Sequence, residues 1–285
     1  MRSYMECSCL LPLLFAFNAY AGSILPVPLS GFAVLGSSTV TNVPPSTIDG
    51  NVGVWSSGGA NAITGFNSSP GVAVSDSQVT GTVQAGTAAA QLAQDDLTIA
   101  ISTLEGMAAG STPESTLGGL TLGPGVYSSS STMGLTGTLT LDGFGNPNAQ
   151  WVFLVGSSLT TASDSNVVVE NAGAGSGVYW VMETASATLG SGSTFEGNIL
   201  ADASVTVGTD VTDSCGRTLA LTGAVTLDGN DTVGIGCPGA LSGSGGLSGG
   251  GPSASAVPEP GSFGLVAACL AGLAIGRRRS RAQAH

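Results

Sequence analysis

Two stretches of this 285-residue chain repeat one another: Gly197-Asn198-Ile199-Leu200-Ala201 with Val205-Thr206-Val207, then Gly216-Arg217-Thr218-Leu219-Ala220 with Val225-Thr226-Leu227. The offsets of 19 and 20 residues match one coil with three short faces, a unit that buries its apolar side only by stacking on its neighbours. Thr140-Leu141-Asp142-Gly143 and Thr226-Leu227-Asp228-Gly229 repeat one turn in the same way. Other segments share the strand composition and the Gly, Asn, Asp and Ser borders: Phe32–Leu35, Thr39–Val43, Leu120–Leu122, Thr138–Leu141, Trp151–Val155, Val167–Val169 and Val178–Val181. Strands of three to five residues suit stacked coils better than a sandwich. The 45 glycines serve coil corners, where positive φ or close backbone approach is needed. The predicted fold is all-β, a solenoid.

One segment breaks the pattern. In Ala85–Ala109 the residues Ala89, Ala93, Leu97, Ala100/Ile101, Leu104 and Ala108 recur every three or four positions, the period of an amphipathic helix. Thr87 is placed to cap it and Gly110 to stop it. A helix of about 20 residues is about 30 Å long, close to the span of six coils at roughly 4.8 Å each. The segment is therefore expected to lie lengthwise on one apolar face.

Both ends fall outside this domain. Residues 1–21 carry an apolar run closed by Ala19-Tyr20-Ala21, a signal-peptide pattern with cleavage before Gly22. Residues 236–256 form a Gly/Ser/Pro linker. Residues 257–281 hold Pro258-Glu259-Pro260, an apolar stretch at 262–276 and an Arg cluster, which together resemble the PEP-CTERM sorting signal read by an exosortase-type enzyme. That resemblance implies an exported protein of the cell envelope, cell surface or extracellular matrix of a Gram-negative bacterium, with the apolar stretch as its membrane segment. The body between, 22–235, is the folded domain. From Gly22 to Ala256 there are 16 acidic residues and one basic residue, Arg217. That charge excludes nucleic acid and anionic membrane surfaces as partners. Cys215 and Cys237 are the cysteines of the mature protein; an oxidising compartment would join them, and two free thiols are the other reading.

The body resembles the ice-binding-like, or antifreeze-like, family. The matching pieces include Phe32-Ala33-Val34-Leu35-Gly36, Ile48-Asp49-Gly50-Asn51-Val52-Gly53-Val54, Leu120-Thr121-Leu122-Gly123-Pro124-Gly125-Val126-Tyr127, Trp151–Thr161, Val178–Val181 and Phe195–Ala201. The resemblance covers about residues 30–233 and implies a right-handed discontinuous β-helix with a long helix alongside. It also implies ice binding through a flat face, with ice and its ordered water as partner, no cofactor, no metal and no catalysis.

Which residues form that face is read from period two. Val40, Ile63, Val79, Val167, Phe195 and Val211 are placed inward, so Thr39, Thr41, Ala62, Thr64, Gln78, Thr80, Asn166, Thr194, Asp210 and Thr212 point outward as one surface. Small hydroxyls and methyls on a rigid lattice can order water with little side-chain entropy left to lose. Glu196, Asp210, Gln78 and Val168 depart from a clean face of this kind. An exported adhesion or matrix protein, with exopolysaccharide as partner, is the competing reading; a β-helix enzyme would need clustered carboxylates with Arg or Lys, or a metal motif, and neither occurs. A monomer is expected.

Overall fold

The computed structural model describes residues 24–235 apart from 59, 60, 108, 111–114, 174 and 214. The signal segment, the linker, the sorting signal with Pro258, Glu259 and Pro260, and Cys237 lie outside them.

Parallel strands stack into a solenoid whose coils turn through three faces. The first face is a nine-stranded sheet in the order Ala73–Val74, Val83–Ala85, Asn51–Val54, Phe32–Gly36, Gly216–Ala220, Gly197–Ala201, Gly177–Met182, Gln150–Val155, Gly125–Ser129. The second has seven strands: Met133–Leu135, Leu159–Thr161, Ala187–Leu189, Val205–Val207, Val225–Leu227, Thr39–Asn42, Ala62–Thr64. The third consists of two three-stranded sheets linked through bridges from Thr194 to Asn166 and Thr212. All named pairings are parallel except that of Ala73–Val74 with Val83–Ala85.

The strand order makes the helix discontinuous. The chain enters in the middle at Phe32, winds to one end, crosses to the other end and winds back until Gly216–Ala220 pairs with Phe32–Gly36. The crossing is made by helix α1, Ala88–Glu105, inside the span expected from the sequence. Thr87 caps it, its hydroxyl accepting from the Ala90 N–H at 3.2 Å.

Two cores follow. Inside the solenoid, Val34, Val40, Ile48, Ile63, Leu159, Val205, Val225 and their neighbours form one buried cluster. Tyr127, Phe153 and Trp180 stack along it with ring centroids 5.4 and 4.0 Å apart, and Phe195 continues the row tilted against Trp180 at 5.2 Å. Outside the first face, Phe32, Leu35, Val152, Leu154, Tyr179, Val181, Leu200 and Leu219 pack on Ala90, Ala93, Leu97, Ala100, Ile101 and Leu104 of α1. Covered on both sides, the first-face strands Phe32–Gly36, Gly177–Met182, Gly197–Ala201 and Gly216–Ala220 are buried at every position, whereas second-face strands alternate.

Candidate functional site

The second face carries two outward columns. Register puts Gly134 beside Thr160, then Thr188, Thr206, Thr226, Thr41 and Thr64 across all seven strands. Two residues earlier on each strand run Thr132, Ser158, Ser186, Ser204, Ala224, Thr39 and Ala62. Every coil but one thus presents Ser, Thr or Ala, then an inward apolar residue, then Thr. Parallel strands lie about 4.8 Å apart, so the array runs roughly 30 Å along the stack, with about 6.6 Å between columns. No strand of this face contains a charged residue. The hydroxyls of Thr41, Thr64, Thr160, Thr188, Thr206 and Thr226 make no hydrogen bond to the described residues, which leaves them to solvent. In the other column hydroxyls brace the coils: Thr132 and Ser158 lie 3.3 Å apart, Ser186 accepts from the Ser204 N–H at 3.2 Å, and Ser204 from the Ala224 N–H at 3.1 Å.

Of the ten residues expected on one surface, nine divide between two faces and one sits at a corner. Thr39, Thr41, Ala62 and Thr64 lie on the second face, at its end. Asn166, Thr194 and Thr212 are register neighbours on the third face, and Gln78 and Thr80 flank Val79, which bridges to Ile48 there. Asp210 is at a corner with φ 62° and accepts from Asn230. All six residues expected inward are buried. The single surface is corrected for a physical reason: outward-inward-outward alternation occurs on both faces, and period two carries no information about which face of a coil a strand occupies.

The third face is the more polar and the more tied down. The Thr80 hydroxyl donates to Asp49 at 2.7 Å and accepts from the Gly50 N–H at 2.9 Å. Gln78 is held by Asn42, Ser46, Gly65 and Asp76. Glu196 lies along this side, its carboxyl pushed up to about 7 by burial, and Val168 is 42% exposed. Thr160, Thr188, Thr206 and Thr226, which the register puts in the same outward column as Thr41 and Thr64, were not among the residues expected outward. The tripeptides Ser158-Leu159-Thr160, Ser186-Ala187-Thr188, Ser204-Val205-Thr206 and Ala224-Val225-Thr226 carried the signal.

Among the described residues no group of three or more His, Cys, Asp or Glu is arranged to hold a metal ion, and no helix is long and apolar enough to cross a membrane. Arg217 is buried; it donates to Asn198 Oδ1 at 2.8 Å and to the Ser30 carbonyl at 2.7 Å, so its bonds go to neutral oxygens. Cys215 is disulfide-bonded.

A family model for ice-binding-like domains matches residues 34–233. The chain belongs to the ice-binding-like family. An ice-binding protein from Nostoc sp. (strain HG1) is 47% identical over 218 residues, 76% of each chain. One from Flavobacterium frigoris (strain PS1) is 32% identical over 216 residues, covering 70% of this chain and 72% of that one. Among solved structures, an ice-binding protein from an Antarctic biological consortium superposes with TM-score 0.64 at 34% identity, over 73% of this chain and 90% of that one. That of the Antarctic ascomycete Antarctomyces psychrotrophicus gives TM-score 0.61 at 31% identity, over 73% and 95%. The two solved structures share the fold of this chain. A PEP-CTERM protein-sorting motif matches residues 256–280 of this ice-binding-like chain, which marks it for export and sorting at the cell surface.

Proposed function

We propose that the chain is an exported, non-catalytic ice-binding protein whose ice surface is the second face, with the Thr160–Thr188–Thr206–Thr226–Thr41–Thr64 column at its centre. The supporting observation is that column beside its column of small residues, uncharged and free of internal hydrogen bonds along the Thr line. Ice offers area and a periodic set of donors and acceptors but no net charge, so recognition rests on registry and rigidity. The parallel ladder fixes the Cα positions, and β-branched Thr has few rotamers left to lose. Water ordered between methyls and hydroxyls is then held at little further cost. The relatives from Nostoc and Flavobacterium frigoris are named as ice-binding proteins.

The test compares two tyrosines. Thr206→Tyr, at the fourth of seven strands, should lift the face off the lattice and weaken adsorption to ice at least about tenfold, roughly 1.4 kcal/mol. Thr194→Tyr, on the third face, should leave ice shaping and thermal hysteresis near wild type. The reverse ranking, with both variants folded by circular dichroism, would move the site to the third face. A wild type that neither shapes ice nor adsorbs to it would leave the adhesion or matrix role.

A further inference from the structure

The coil that follows α1 opens with Ser115, Thr116 and Leu117, which repeat the second-face pattern one rung beyond its last strand. The Ser115 carbonyl accepts from the Gly134 N–H at 2.7 Å, and the Leu117 N–H donates to the Gly134 carbonyl at 2.8 Å. These two bonds make a parallel bridge between Thr116 and Gly134, the relation that joins Thr160 to Gly134 from the other side. Leu117 is fully buried in the solenoid core, as Leu135 is one coil on. Thr116 is exposed, and its hydroxyl makes no hydrogen bond to the described residues. From Leu117 the chain runs on to the third-face strand Thr121–Leu122 and the first-face strand Gly125–Ser129. Thr116 thus begins a complete coil.

Gly134 lies between Thr116 and Thr160 and is the rung of this column without a side chain. Its backbone does not call for glycine. Its φ lies outside the left-handed region, and a Cβ placed on it would meet nothing nearer than the Ser115 carbonyl oxygen at 3.7 Å, an ordinary contact. Gly53, Gly177 and Gly216, in first-face strands, differ: a Cβ there would come within 2.5, 2.9 and 2.1 Å of neighbouring atoms. Glycine also weakens the interior of a strand. Close packing accounts for those three glycines and not for Gly134, whose effect falls on the outward surface.

We infer, on the reading of the second face as the ice surface, that Thr116 is an eighth ice-contacting rung and that Gly134 limits how tightly this end of the column holds ice. With Thr116 the column spans roughly 34 Å, seven spacings of about 4.8 Å. Ladder bonds fix the Thr116 Cα on the same lattice as the other six threonines, so water ordered along the column meets it in register. Over Gly134 no methyl or hydroxyl holds that water. The side chains of Thr116 and Thr160 stand two spacings apart, about 9.6 Å, and water between them lacks a protein partner beneath it. The chain therefore binds ice less tightly than its own backbone allows.

The experiment measures adsorption to ice and thermal hysteresis for the exported wild type, Thr116→Tyr, Gly134→Thr, their double variant, Thr206→Tyr and Thr138→Tyr, each checked for folding by circular dichroism. Thr138 is exposed on the third face, towards the same end of the stack. Thr116→Tyr should weaken adsorption about threefold, less than Thr206→Tyr, because a wedge at the end of the column leaves the other rungs able to seat. Thr138→Tyr should match wild type. Gly134→Thr should strengthen adsorption about threefold, the scale of one further methyl withdrawn from bulk water. That gain should vanish in the Thr116→Tyr background, where the wedge holds the neighbouring rung off the ice; a gain from strand stability alone would persist there. With Thr206→Tyr impaired, wild-type adsorption by Thr116→Tyr or by Gly134→Thr would overturn the inference and keep the second face as the ice surface, as would an equal loss in Thr138→Tyr. Adsorption of Thr206→Tyr at the wild-type level would overturn both.

Discussion

Arg217 is the single basic residue between Gly22 and Ala256, and it lies buried where the returning coils meet the first one. Burial lowers its pKa to about 10, so it stays charged at neutral pH while bonding to Asn198 and the Ser30 carbonyl. Replacement by Ala would leave the Ser30 oxygen unpaired and open a cavity. We expect a loss of about 3–5 kcal/mol in chemical unfolding, the scale of a broken buried charged contact. A loss under about 1 kcal/mol would show that water replaces the guanidinium. The sequence shows that this Arg is alone but not that it is interior, because residue type gives no depth. Residues of the proposed ice face were legible to a different degree. Thr41 and Thr64 could be placed outward from their strands, and the recurring Ser-x-Thr tripeptides held the rest. Asn166 and Thr194 alternate in the same way on another side of the coil, and only the pairing separates them.

Helix α1 was legible almost to its ends, since 3.6-residue periodicity stands out against period two. Its covering role is written in the first face as well: Trp151-Val152-Phe153-Leu154-Val155 is apolar without alternation, as a strand buried on both sides must be. Leu97 sits fully buried in the cluster between α1 and that sheet. Leu97→Ala should cost about 2–5 kcal/mol, measured by denaturant unfolding, and a loss below about 0.5 kcal/mol would mean that the helix is a loose cover. The strand boundaries were less legible. Asn166–Glu170 extends beyond the expected Val167–Val169 at both ends because cross-strand pairing with Thr138–Asp142 continues through polar residues.

At the scale of the molecule, the discontinuity could not be read from any local pattern. Pairing of Val34 with Thr218 and of Val40 with Val225 joins segments far apart in the chain, and only the family resemblance implied it. Several buried acids lie near that join. Burial raises Glu196 to about 7 and Asp231 to about 6, and it pushes Asp213 well above the ordinary carboxylate range, with Glu196 adding to the effect. Unfolded, these groups titrate near about 4, so the folded state keeps its protons to higher pH. Their stabilising contribution is full below about pH 4 and is lost as pH climbs through 6 and 7. The melting midpoint should therefore be several degrees higher at about pH 5 than at about pH 8. Glu196→Gln should flatten that slope, and a midpoint that rises with pH would refute the assignment.

Entry and exit in mid-stack also have a mechanical meaning. The last described strand, Thr232–Gly234, is flanked by Thr212–Asp213 and Thr47–Asp49, and the Ile235 N–H donates to the Asp49 carbonyl at 3.0 Å. A pull through the sorted tail, with the body held on ice, therefore enters between two paired strands and not at a terminal coil. Tension directed along a strand loads its ladder bonds together, in shear. Tension at an end coil would part them in succession, like a zip. A tether attached through that tail would therefore load the solenoid where it resists detachment best and leave the end coils unstressed.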